Sequence, residues 1–153
     1  MTIEESDVRL AERLAREAGE ILLALQSQGE LEGKALGKAG DQRANEMLMR
    51  ELRTARPDDA ILSEEEKDSA ARLSSSRTWV VDPLDGTREY GEGRSDWAVH
   101  VALAIDGVAT VGAVALPGLD LTLTSGKPPR LKPANVVPKM LVSRTRPAAE
   151  AVA

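Results

Sequence analysis

The chain has no cysteine and no phenylalanine, a single histidine and a single tyrosine, and aromatics make up only 2% of its 153 residues. Without cysteine there is no disulfide, no thiolate metal site and no thiol nucleophile. With so few aromatics, the core has to be built from Leu, Val, Ala and Ile. No apolar run approaches the roughly 18 residues of a membrane span, and the acidic, amphipathic opening MTIEESDVRLAERL is unlike a secretory leader. The expectation is therefore a cytoplasmic protein with no membrane partner. A formal net charge of -5 argues against a nucleic-acid polymer as partner, because that binding leans on clustered Lys and Arg.

What is present is ordinary globular material: 42% apolar and 29% charged residues, enough for one domain with a real core. Apolar residues recur at helical spacing from Ser6 to about Ser27, through Leu10, Leu14, Ala18 and Leu22. Glycines 29, 33, 37 and 40 then suggest a polar loop, with Asp41 as N-cap of a second helix that Pro57 ends. AILSEEE reads as a short strand, Ala60 to Leu62, running into acids. TWVVD reads as a second strand, and Asp106-Gly107 joins two more as a tight hairpin. LDLTLTSG and KMLVSRT are predicted as further strands, and RPAAEAVA starts like a helix. Helices first and mostly antiparallel strands after them predict an α+β fold, with a helix pair packed on a sheet.

The chemistry concentrates in TWVVDPLDGTREY. Asp82 and Asp85 flank a proline at the end of a probable buried strand, where carboxylates are costly without a partner. Pro83 donates no hydrogen bond and pushes Asp82 towards extended backbone, so the chain must turn and the two acids can converge. The Leu84 carbonyl is a third hard oxygen, Gly86 permits close approach, and Thr87 is placed to open a short helix. Such a donor set suits Mg²⁺, which takes oxygen ligands and keeps several waters. Glu64 and Glu65 join it if the two strands lie side by side. Taken singly, DP or DG reads as a plain turn and SEEEKD as a solvated charge run. The combination is what favours a cation site.

SEE at 63 to 65, DPLDGT at 82 to 87 and the following DWAVHVALAIDGVATVGAVALP together resemble the inositol monophosphatase-like superfamily of metal-dependent, typically lithium-sensitive phosphatases. Within it, DPLDGTREY is most similar to the 3'(2'),5'-bisphosphate nucleotidases of the CysQ type, in which a basic residue and Glu follow the Thr. The likeness runs from about Val8 to Pro147. It implies the N-terminal part of a layered αβαβα sandwich and two-metal hydrolysis with water as nucleophile. By the same resemblance, Glu64, Asp82 and the Leu84 carbonyl would ligate the first Mg²⁺, with Asp82 bridging to a second ion that Asp85 also binds. Thr87 would position the attacking water, Asp41 would hydrogen-bond Thr87, and Glu65 would support or ligate. Asp85, Gly86, Thr87 and Arg88 would bind the substrate.

The implied substrate is a small phosphorylated nucleotide, 3'-phosphoadenosine 5'-phosphate of sulfur assimilation, with inositol phosphate or fructose 1,6-bisphosphate as alternatives. Members of the superfamily continue into a second domain that completes the second metal site. The expectation is a metal-binding domain over residues 1–135 and the start of a truncated one over 136–153. A truncated, non-catalytic cation-binding fragment is the competing reading, and its uncovered apolar surface would favour a homodimer. His100 reads as a packed or hydrogen-bonded strand residue, with no histidine expected near the motif. Trp79 and Trp97 read as core, Met47 and Met49 as gap fillers, and Arg88 and Lys34 as exposed bases that could reach a second phosphate.

Overall fold

The structure, a computed structural model, describes residues 5–67, 70–131, 133, 140–143 and 146–151. Helix α1 spans Asp7–Gln28. It starts where the Ser6 hydroxyl accepts the Arg9 N–H at 3.4 Å, and it stops at Gly29, whose left-handed φ of 68° closes the last turn. Its stripe of Leu10, Leu14, Ala18, Leu22 and Leu25 is buried, as the periodicity required.

Helix α2 spans Gly33–Ala55, which corrects the expected glycine loop. Gly37 and Gly40 lie inside the helix, and Asp41 is an interior residue, buried, instead of its N-cap. The reason is packing. A Cβ at Gly37 would stand 2.9 Å from Thr87 Cγ2, and one at Gly40 would stand 2.7 Å from Tyr90 Cε1. The glycines thin the helix so that the DPLDGT segment can lie directly on it, and that close approach offsets their low helix propensity.

Five strands follow: β1 (Ala60–Ser63), β2 (Arg77–Asp85), β3 (Ala98–Ile105), β4 (Val108–Leu116) and β5 (Leu121–Thr124). They form one sheet in chain order, with β1 parallel to β2 and every other pair antiparallel. The turn between β3 and β4 has Asp106 at φ 50° and Gly107 at φ 77°, the two left-handed residues that a tight two-residue hairpin demands. A short helix α3 (Thr87–Gly91) sits between β2 and β3. Alternate strand residues, among them Trp79, Val81, Val99, Val101, Leu103, Ala113 and Ala115, form a core with α1 and α2.

Trp97 and both methionines of α2 are buried in that core as expected, and Trp97 meets Tyr90 edge to face at 5.1 Å. The expected strand at KMLVSRT does not form across Met140–Ser143. Met140 and Leu141 are 78% and 97% exposed, so these apolar side chains pack against neither the sheet nor the core. The rest of that prediction lies outside the described residues. The helical start at the C-terminus is a single 3-10 turn, Ala149–Ala151.

Candidate active site

Parallel pairing of β1 with β2 puts Ser63 opposite Val81, so Glu64 and Glu65 leave the sheet beside Asp82. The side-by-side strand ends anticipated from sequence are therefore present. Strand β2 does not stop at Asp82, however. It continues to Asp85 through a register shift, with Asp82 opposite His100 and Asp85 opposite Ala98. Pro83, which has no N–H to give a ladder, falls inside that irregularity.

Local hydrogen bonds shape the turn. Asp82 Oδ1 accepts the Leu84 N–H at 3.1 Å, the Thr87 hydroxyl donates to the Leu84 carbonyl at 3.0 Å, and the Tyr90 N–H donates to the Gly86 carbonyl at 2.9 Å. Gly86 has φ 88°, and a Cβ there would press to 3.2 Å from that of Trp97. Both constraints require glycine.

Asp41 enters from α2, where Gly37 lets Thr87 come close. Its carboxyl is pushed up to about 7 by burial and by the nearby charge of Glu65, with Asp82 and Glu64 adding to the shift and the Thr87 hydroxyl opposing it. Asp82 is pushed up to about 6, by burial first and then by Glu64 and Asp85, against the Leu84 N–H and His100. Among the described residues, Asp41, Glu64, Glu65 and Asp82 make no ion pair with Lys or Arg. These acids crowd one another, with His100 the opposing charge on Asp82.

His100 was not foreseen here. Its Nε2 lies 3.1 Å from Asp85 Oδ2, so a histidine does stand at the motif, brought there by the pairing of β2 with β3. Asp85 and His100 stand 15 positions apart in the chain, and nothing local signals that register.

A cavity of about 690 Å³ is lined by Asp41, Glu65 and Thr87 together with Lys34, Lys38 and Arg88; Lys34, Lys38 and Asp41 follow one another at helical spacing along α2. Arg88 is exposed and pairs with Glu92 at 2.9 Å. Among the described residues, no three His, Asp or Glu side chains converge on one cation position. The donor set still fits Mg²⁺ in kind, being carboxylates and a carbonyl with mutual repulsion to relieve.

A helix pair on a mostly antiparallel sheet, with acids gathered at two adjacent strand ends, is a layered α+β arrangement. The match to the inositol monophosphatase family model extends over residues 4–138, and the chain belongs to that family. It is 50% identical over 125 residues to the 3'-phosphoadenosine 5'-phosphate phosphatase of Mycobacterium leprae, covering 74% of this chain and 46% of that one. To the protein of the same name in Mycobacterium tuberculosis it is 44% identical over 146 residues, covering 87% and 54%. Among solved structures, inositol monophosphatase II of Staphylococcus aureus superposes with a TM-score of 0.72 at 25% identity, over 84% of this chain and 50% of that one. The chain spans about half the length of the curated relatives it matches.

Proposed function

We propose that this chain carries the metal-binding half-site of a Mg²⁺-dependent phosphomonoesterase acting on 3'-phosphoadenosine 5'-phosphate. The observation that carries the reading is the gathering of Glu64, Glu65 and Asp82 at the ends of β1 and β2 beside Asp41, next to a cavity that Asp41 and Glu65 line together with Lys34, Lys38 and Arg88. The names of the mycobacterial relatives support the substrate. In this reading residues 1–135 are the metal-binding unit and 136–153 lead into another.

Glu64, Asp82 and the Leu84 carbonyl would hold one Mg²⁺, and Asp82 with Asp85 a second. Bound there, the ions supply charge neutralisation at a phosphoryl group and a water acidified towards neutral pH. Thr87 is held at the base of the site by its bond to Leu84, and its hydroxyl orients the nucleophilic water. Asp41, which lies on α2 where Gly37 brings Thr87 close, is placed to accept a hydrogen bond from that hydroxyl and so to orient it. Glu65 supports the acid cluster from the β1 end. The amides of Gly86 and Thr87 bind phosphate oxygens, while Arg88, with Lys34 and Lys38 of the same cavity, attracts the second phosphate of a bisphosphorylated substrate. Positioning and charge stabilisation account for such a transfer without a covalent enzyme intermediate.

The test is inorganic phosphate release from 3'-phosphoadenosine 5'-phosphate with and without Mg²⁺. Asp82→Asn and Thr87→Ala should each reduce it by roughly 100-fold or more. Phosphate release from inositol 1-phosphate or fructose 1,6-bisphosphate in its place would reassign the substrate. Divalent binding with no release from any of the three would leave a cation-binding fragment as the correct reading.

A further inference from the structure

The segment that bears Glu64 and Glu65 hangs from the edge of the sheet. Strand β1 pairs on one side only, and the backbone bonds just beyond it are long: Glu64 N–H to the Val81 carbonyl at 3.4 Å and Glu66 N–H to the Ser63 carbonyl at 3.3 Å. What anchors the segment firmly is a side-chain bond. The Ser63 hydroxyl donates to Asn45 Oδ1 at 2.7 Å, and Asn45 and Ser63 are 9% and 4% exposed. The same Ser63 oxygen accepts the Glu65 N–H at 3.3 Å. Asn45 Nδ2 reaches on to Glu66 Oε1 at 3.4 Å, and Arg53 holds Glu66 from the far side at 2.9 Å.

Asn45 lies one helical turn beyond Asp41 on α2. The pair therefore ties the helix that carries Asp41 to the strand end that carries Glu64 and Glu65, and none of these contacts uses the acids' own carboxylates. We propose that Asn45 and Ser63 are positioning residues that fix Glu64 and Glu65 against Asp82 and Asp41, and so set the affinity of the site for a divalent cation. This rests on the metal-site reading above. Hydrogen-bonding groups that orient ligands are commonly worth 10- to 100-fold in metal affinity, and here a buried neutral pair does this from outside the ligand set.

Calorimetric titration with Mn²⁺, read beside far-UV circular dichroism and melting of the metal-free protein, tests the proposal without any turnover. Asn45→Ala and Ser63→Ala should each weaken Mn²⁺ binding about tenfold, and the double variant should be hardly weaker than either single one, because both remove the same link. Ser63→Thr keeps the hydroxyl and should stay within about threefold of wild type. If the alanine variants do not fold, Asn45→Gln serves instead: it keeps the polar group, moves it by a methylene, and should weaken binding while the fold persists. Folded variants that bind Mn²⁺ as tightly as wild type overturn the positioning role and leave the metal site standing. A wild-type chain that binds no Mn²⁺ overturns the site and the pair together.

Discussion

The two ends of the nine-residue strand β2 treat acids in opposite ways. At the start, Asp59 accepts from Arg77 Nε at 2.9 Å and from Trp79 Nε1 at 2.8 Å. Asp7 accepts from Arg56 at 2.9 Å and from Arg77 at 3.0 Å. Burial alone would raise the Asp7 carboxyl, yet the two guanidiniums outweigh it and hold it below the ordinary carboxylate range. At the finish, Asp82 and Asp41 sit well above that range, and the contact made by Asp85 is with His100. The chain neutralises carboxylates with Arg where they lock α1, α2 and the sheet together, and it leaves them without Lys or Arg partners where we propose that a cation enters.

Substitutions should expose that difference, the largest effect coming at the structural end. Asp59→Ala leaves the Trp79 indole N–H without its acceptor and Arg77 paired with Asp7 alone. It should cost about 2 kcal/mol, read as a melting point lower by roughly 6 °C, with divalent affinity unchanged. Asp82→Asn should do the reverse. In metal-free protein at pH 8 it relieves repulsion and should raise the melting point by roughly 3 °C, while divalent binding is lost.

The pH response separates the ends as well. Asp41 and Asp82 are raised to about 7 and about 6 from 3.8, so the stability they contribute is full below about pH 3.8 and is lost as pH rises through 6 and 7. Asp7 is lowered, so its contribution is present above pH 3.8 and is lost as pH falls below that value. Melting of metal-free protein between pH 5 and 8 should therefore show stability falling with pH in wild type, and a flat response in Asp41→Asn/Asp82→Asn. A wild-type curve that rises over this window would contradict the assignment. The smallest stability effect belongs to the cavity rim. Arg88→Ala removes an exposed helix pair worth less than about 0.5 kcal/mol, and it should leave the melting point in place while raising KM for the bisphosphate roughly tenfold if the rim binds substrate.

Much of this fold was legible. The stripe of α1, the Asp106-Gly107 hairpin and the order of helices before strands each follow from local periodicity and turn chemistry. So does the turn at DPLDGT, because Pro and Gly within six positions constrain its backbone. What sequence misread were features whose cause lies elsewhere in the chain. Gly37 and Gly40 look like helix breakers until Thr87 and Tyr90 occupy the space that they vacate. Asp41 looks like a cap until the helix is seen to begin at Gly33. His100 and the Asn45–Ser63 pair depend on strand register and on helix docking, which no local pattern records. Met140 and Leu141 show the converse, apolar residues with a strand-like pattern that stay exposed and join no strand among the described residues.

The most direct measurement is the melting temperature of wild type and Asp82→Asn at pH 8 as Mg²⁺ is added. A cation site made of uncompensated acids requires a wild-type melting point that climbs with Mg²⁺, as mass action on the folded state demands, and an Asp82→Asn melting point that begins higher and does not respond. A wild-type protein indifferent to Mg²⁺, or a variant that climbs in parallel with it, would contradict the assignment of this strand end as a metal site.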